Sequence, residues 1–280
     1  LNEVDVSTAF VFPGQGSQAV GMGRDLYEAS PAAHAIFDQA DATLGFALAR
    51  LCFEGPEETL TATENAQPAL LTMSTALLAA LGDSVDVSSV VGRRSSFVAG
   101  HSLGEYSALV AASALDFATA LRLVRRRGEL MAAADEGAMA AIIGLEEVPL
   151  EAICCEVSLA GAPVVIANYN SPGQLVISGA TAAVERACTL AKERGAKRVL
   201  PLKVSAAFHS PLMLEAADGL AEAVADAPIA DARVPVLSNV LAEPLSEAVA
   251  IRHEVVALVT WAVRWLVSVQ RMADAGVDTF

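Results

Sequence analysis

The chain predicts an α/β protein built on a parallel sheet, with a small mixed unit set into it. Two observations carry that prediction. Through the first 134 residues, short apolar strands alternate with longer helical patterns, the order that lays helices over a parallel sheet. From 137 to 205 the order becomes strand, helix, strand, strand, helix, strand, which is the ferredoxin-like βαββαβ arrangement.

The elements follow from local chemistry. "TAFVF" (8–12) is a short apolar strand stopped by Pro13 and the glycine turn "PGQGSQ". Apolar residues at helical spacing cover 31–44 and 66–81, and "SSFVAG" (95–100) is a second strand ending at "HSLG". Helices over 102–113 and 116–134 follow it. In the small unit, strands are expected at 138–145, 163–168, 174–179 and 197–204, with helices at 147–160 and 181–194. "YNSPG" supplies the Pro and Gly that a reversal between the middle strands needs. Beyond it, Ser210 is an N-cap with Pro211 at the first helical position. A strand at 234–239, helices at 246–258 and 262–275, and the beginning of a strand in "GVDTF" complete the reading. Residues 1–136 and 206–280 thus form a discontinuous larger domain, and 137–205 a subdomain.

An apolar fraction of 54% with 18% charged residues supports an extensive core and no long disordered tract. No apolar run reaches the ~18 residues of a membrane span, and "LNEVDVSTAFVF" lacks the basic region of a secretory signal. Cys52, Cys154, Cys155 and Cys188 show neither CxxC nor zinc spacing, so reduced cytosolic thiols are expected. A formal charge of −15 argues against nucleic acid as a partner. Ten of the 18 basic residues lie in 122–127 and 186–203; they offer an acidic partner a local surface, or are solvated helix faces.

One of those basic residues stands on the wrong side of its helix. In "LRLVRRRGELM" (121–131), Leu123, Arg127, Leu130 and Ala134 make one stripe, so Arg127 projects from the apolar side, opposite Arg122, Arg126 and Glu129. Taken alone, that pattern reads as a buried Arg paired with an internal Asp or Glu, because an unpaired buried charge is expensive.

The main motif is "GHSLG" (100–104), a G-x-S-x-G between an expected strand and an expected helix. A tight turn there lifts Ser102 out of the sheet as a candidate nucleophile, at a helix N-terminus that favours developing negative charge. A serine nucleophile needs a base, and the chain offers four histidines. His101 adjoins Ser102 but is poorly aimed at it, and reads as a packing or hydrogen-bonding residue; His34 and His253 read as ordinary surface or satisfied residues. His209 lies in a loop before a capped helix, where side chains are often presented to a site, and is the favoured candidate.

"FPGQGSQ", "QPALL", "GHSLGEYSALVAA", "RRGELM", "GAMAAIIGL", "NYNSPGQLVISG" and "FHSPLM" occur in this order. Together they resemble the malonyl-CoA:acyl carrier protein transacylase family of bacterial type II fatty-acid synthesis, over nearly the whole chain. The resemblance implies an α/β-hydrolase-like large domain with a ferredoxin-like insert. It implies that Ser102 takes a malonyl group from malonyl-CoA with His209 as base, and passes it to the phosphopantetheine thiol of acyl carrier protein. It assigns the oxyanion hole to the backbone N–H groups of Gln15 and Leu103, the malonyl carboxylate to Arg127, and exclusion of a methyl branch to Phe208. No metal and no cofactor are implied, and the protein is expected to be a cytoplasmic monomer. His209 would be oriented by main-chain carbonyls; Leu258 stands where the family usually has Gln, and Ala262 where proline is common. The family pattern continues past "GVDTF" with a glycine-rich segment and a final helix. Two other readings share the same elbow. A serine thioesterase or esterase needs an acid between Ser102 and His209 in chain order, and a catalytically weak carrier-binding subunit would leave Ser102 unacylated.

Overall fold

The structure, a computed structural model, describes residues 7–82, 91, 96–134, 136–204 and 206–280. Residues 1–6, Asp135 and Ser205 at the expected domain limits, and Ser95 of the expected second strand, lie outside the described residues.

The larger sheet joins β1 (Ala9–Phe12), β2 (Phe97–Gly100), β7 (Val236–Leu237) and β8 (Pro244–Leu245) in that order. β1 to β2 and β2 to β7 are parallel, with Phe12 opposite Gly100, and β8 turns back antiparallel on β7. "GVDTF" does begin a strand-like contact, since Thr279 bridges Thr8 in parallel beside β1. Helices α1 (Arg24–Ala29), α2 (Pro31–Leu44), α3 (Leu48–Glu54), α4 (Glu57–Thr61) and α5 (Thr63–Gly82) separate β1 from β2. α6 (Gly104–Ala111) and α7 (Phe117–Ala133) follow β2. The short α1, α3 and α4 escaped the sequence reading because each is too brief to show a helical period.

The smaller sheet contains β3 (Ala138–Ile143), β4 (Val164–Ser171), β5 (Gln174–Gly179) and β6 (Arg198–Pro201), with α8 (Glu147–Leu159) after β3 and α9 (Thr181–Glu193) after β5. It is antiparallel throughout, in the order β4-β5-β3-β6. Alternation along β3 decides what each face covers. Ala140 and Ile142 join a cluster with Ile153, Leu150 and Val184 of α8 and α9, while Met139 and Ala141 belong to the main core. The sheet is therefore apolar on both faces and lies between its own helices and the large unit.

Differences from the expected elements have local causes. β4 runs on to Ser171, three residues further than expected, because register shifts at Ile166/Asn168 and Tyr169/Ser171 let "NYNS" stay paired with β5. β6 is shorter than expected. After Ser210, whose side chain accepts from the Leu212 N–H, the chain makes a 3₁₀ turn before α10 (Leu214–Ala225), and α11 (Ala248–Ala257) and α12 (Trp265–Asp274) close the fold. α5 begins at Thr63, three residues before the expected start, and carries Pro68 in its second turn. Proline cannot donate to the carbonyl of Glu64. Arg125 of α7 does so instead, at 3.1 Å.

α5 and α7 cross closely because Gly128 has no side chain. A Cβ there would lie 2.7 Å from Glu64 Cα and 2.9 Å from Thr63 O, both backbone atoms. That closeness brings Gln67 of α5 to Arg127. Gly128→Ala should gain about 1 kcal/mol of helix propensity and lose about 1–3 kcal/mol to overpacking. We expect the thermal midpoint to fall; a raised midpoint would show that α5 yields freely.

Candidate active site

The three parallel strands release the chain at one edge of the sheet: β1 leads to Gln15, β2 to Ser102 and β7 to Asn239. Carboxyl ends of parallel strands are where open α/β sheets bind ligands. Ser102 sits at φ 50°, in the left-handed region that side chains seldom adopt. Its N–H donates to Asn239 Oδ1 at 2.7 Å, and Asn239 Nδ2 donates to Gly100 O at 2.7 Å. The turn closes only with glycines, since a Cβ on Gly100 would stand 1.9 Å from the Gly104 carbonyl carbon. Because Ser102 is left-handed, helix α6 starts at Gly104 and not at the expected 102. The backbone N–H groups of Leu103, at the α6 N-terminus, and of Gln15 have no acceptor among the described residues. The Gln15 side chain donates to Thr63 Oγ1 at 3.1 Å, which holds its loop against α5.

His209 is also left-handed, at φ 58°, and its Nε2 lies 2.8 Å from Ser102 Oγ. Its Nδ1 faces two carbonyls, Leu258 O at 2.7 Å and Trp261 O at 3.2 Å. Carbonyls only accept, so Nδ1 carries the proton and Nε2 accepts from the Ser102 hydroxyl. Leu258 O comes from the C-cap of α11, a helix end whose carbonyls lack intrahelical donors. The negative pole of that helix favours an imidazolium when one forms. Leu258 contributes only its carbonyl here, so the departure from Gln leaves this contact whole. No carboxylate stands behind the imidazole among the described residues, which removes the acid that the hydrolase alternative required. Burial, and next the Arg127 cation, push the His209 pKa down to about 3.

Arg127 is 2% exposed, on the buried side of α7, as the stripe predicts. It does not find the internal Asp or Glu that the stripe alone suggested. Nη1 donates to Gln67 Oε1 at 2.7 Å, Nη2 to Ser102 Oγ at 3.2 Å, and Nε–H has no acceptor among the described residues. A buried orphan donor of this kind costs about 1–3 kcal/mol. The nearby acid Glu105 makes no ion pair with it; burial, and then Glu254, hold the Glu105 carboxyl well above its usual range. The Tyr106 ring, its centroid 6.0 Å away, faces the cation instead.

All six residues proposed from sequence, Gln15, Ser102, Leu103, Arg127, Phe208 and His209, line one cavity of about 380 Å³, together with Met131, Met139 and Val176. His101 turns away from Ser102, with Nε2 2.8 Å from Asn170 Oδ1 and its ring against Trp265. His34 stacks on Tyr27, and His253 is exposed. Sequence reasoning missed Gln67 and Asn239. The available signal for Asn239 was its place two residues beyond a parallel strand, matching Ser102 beyond β2; Gln67 opens the "QPALL" motif, but its contact with Arg127 depends on the α5–α7 crossing.

An α/β chain with a left-handed elbow serine against a buried neutral imidazole belongs to the class of acyl-transfer enzymes that use a serine nucleophile. Residues 9–280 match the acyl transferase domain family. The chain is 50% identical over 275 residues to the malonyl CoA-acyl carrier protein transacylase of Bacillus subtilis, covering 97% of this chain and 84% of that one. The solved transacylase of the same name from Coxiella burnetii superimposes with a TM-score of 0.92 at 42% identity, covering 97% and 85% of the two chains. A second structure, a type II PKS acyl-carrier protein in complex with its malonyl-transacylase, gives 0.91 at 44% identity, covering 97% and 86%. The chain belongs to the malonyl CoA-acyl carrier protein transacylase family.

The imidazole sets a pH dependence. An unfolded His titrates near pH 6.5 and the folded one at about 3. Between those values the unfolded chain holds the extra proton, so this contribution to stability is whole above about pH 6.5 and is lost as pH falls toward 3. The kcat/KM for Ser102 acylation should stay flat from about pH 8 to 5. An inflection near 6.5 in stopped-flow acylation would show an ordinary, solvated imidazole.

Proposed function

We propose that the chain moves a malonyl group from malonyl-CoA to the phosphopantetheine thiol of acyl carrier protein through a malonyl ester on Ser102, supplying fatty-acid synthesis. One observation carries the reading: a buried guanidinium that touches the nucleophile has no carboxylate of its own among the described residues. Its free Nε–H and its Nη2 lie on one edge, the fork that a carboxylate takes side-on. Malonyl carries that carboxylate and acetyl does not.

His209 Nε2 removes the Ser102 proton as Oγ attacks the thioester carbonyl. The oxygen of the tetrahedral intermediate accepts from the Leu103 and Gln15 N–H groups, and each such donor is worth roughly 3 kcal/mol. As the intermediate collapses, His209 returns the proton to the departing CoA thiolate. The carrier thiol then gives its proton to His209 and attacks the ester, and the proton ends on Ser102. Every proton and electron pair is accounted for by substrate, Ser102 and His209, so the scheme draws on no metal or cofactor. Phe208, on the cavity wall, limits room beside the malonyl methylene and disfavours a methyl branch. The relatives' names and the carrier complex support acyl carrier protein as acceptor. The same reading takes the small sheet as a ferredoxin-like subdomain that closes the cavity through Met139 and Val176. It places the protein in the cytoplasm, where its four free cysteines stay reduced.

Intact mass after brief mixing with malonyl-CoA should show a malonyl adduct mapping to Ser102, which a chase with holo-carrier removes. Ser102→Ala should show neither adduct nor transfer; transfer surviving in that variant would refute the nucleophile. Arg127→Ala should slow malonyl transfer roughly 100-fold or more, the scale for breaking a buried charge pair, and acetyl transfer far less. Equal loss of both would make Arg127 a residue of the fold alone.

A further inference from the structure

Beneath the elbow, a buried polar group lies outside the reaction just described. Asn239 is 2% exposed, and each of its polar atoms is engaged. Oδ1 accepts from the Ser102 N–H at 2.7 Å, and Nδ2 donates to Gly100 O at 2.7 Å and to Glu105 Oε2. Its own N–H donates to Glu105 Oε2 at 2.9 Å, and its carbonyl accepts from the Arg264 N–H at 2.8 Å. The neighbouring Val240 N–H donates to Glu254 Oε1 at 2.9 Å.

These bonds reach both halves of the catalytic pair. Glu254 lies one turn before Leu258 on α11, and the Leu258 N–H donates to the Glu254 carbonyl at 2.8 Å. Leu258 and Trp261 supply the carbonyls that hold His209, and Arg264 ends that same segment. The Asn239 side chain therefore sets the backbone of Ser102, while its main chain and its neighbour anchor the segment that aims the imidazole. Glu105, a buried acid without an ion-pair partner among the described residues, accepts twice from Asn239.

We propose that Asn239 is a positioning residue: it holds Ser102 left-handed, so that Oγ meets His209 and the Leu103 N–H stays turned into the cavity, with Glu105 fixing its orientation. This rests on the reading of Ser102 as nucleophile. A left-handed serine is strained unless its surroundings over-determine it, and the bonds from Asn239 to Ser102 and Gly100, on either side of His101, do so. An amide fits where a carboxylate or hydroxyl does not, because one arm must accept from an N–H while the other donates to a carbonyl.

The test reads serine reactivity apart from malonyl or carrier. A fluorophosphonate probe is mixed with wild type and Asn239→Ala, and both the labelling rate constant and the final labelled fraction are measured. We expect the variant's rate constant to fall about 100-fold, the scale of a lost oxyanion arrangement, with the labelled fraction still complete. A labelled fraction that falls while the rate constant holds marks a merely structural residue and overturns the proposal. Asn239→Asp keeps the volume and the acceptor for Ser102 but loses the donor to Gly100, and should fall between the two. If the alanine variant does not fold, a wild-type rate in Asn239→Asp overturns the proposal in its place. Glu105→Gln retains an acceptor for Asn239 and should lose less than Asn239→Ala. Wild type that labels with the probe yet takes no malonyl refutes the proposed substrate while leaving the role of Asn239 standing. Wild type that fails to label refutes the nucleophile, and this proposal with it.

Discussion

The rest of the site depends on a guanidinium buried without a counter-charge among the described residues. Arg127 lies on the apolar side of α7 and meets an amide, a hydroxyl and an aromatic ring where a carboxylate would ordinarily stand. In a low-dielectric interior such a cation acts on every neighbour. It adds to the desolvation that keeps His209 neutral. The nearby buried acid Glu105 is held toward its neutral form by burial and then by Glu254. Arg127 itself lines the cavity beside Ser102.

Such a site needs stiff backbone around it, because a flexible one would let the cation find another partner. Stiffness here comes from close approach. Gly104 admits the Phe12 carbonyl to within 2.4 Å of where a Cβ would be, which welds the elbow to the end of β1. Gly128 does the same for α5 and α7 and so fixes Gln67 on Arg127. Both members of the catalytic pair are left-handed, and both are held by bonds from remote segments: Ser102 from the loop after β7, and His209 from the end of α11. The strain sits where function uses it and is over-determined by its surroundings.

The small sheet joins the site through residues of β3, β4 and β5. Met139 and Val176 reach the cavity while Ala140 and Ile177 pack under α8 and α9. Strand alternation makes this possible, since a sheet covered on one side by its own helices still has a second apolar face to place on the larger core. The bulges in β4 lengthen that strand past Asn168 and put Asn170 against His101. A residue that sequence alone read as part of a turn thus becomes a prop beside the nucleophile.

The local signals in the sequence determined the alternation of strands and helices, the elbow around Ser102, the cap at Ser210 and the misplaced charge of Arg127. Each of these is written in a few adjacent residues or in one helical period. The motifs taken together pointed to six residues that the fold brings to one cavity. Element ends and single-turn helices were less legible, because Ser102's left-handed turn, the β4 bulges and the short α1, α3 and α4 are set by contacts outside their own windows. Only the tertiary structure decided what Arg127 meets, which of four histidines faces Ser102, and that Leu258 serves through its carbonyl. Those facts depend on pairs such as Ser102 with Asn239 and Arg127 with Gln67, separated by 137 and 60 residues. Hydrogen bonds at that separation follow from how elements cross, and no short stretch of sequence contains the crossing.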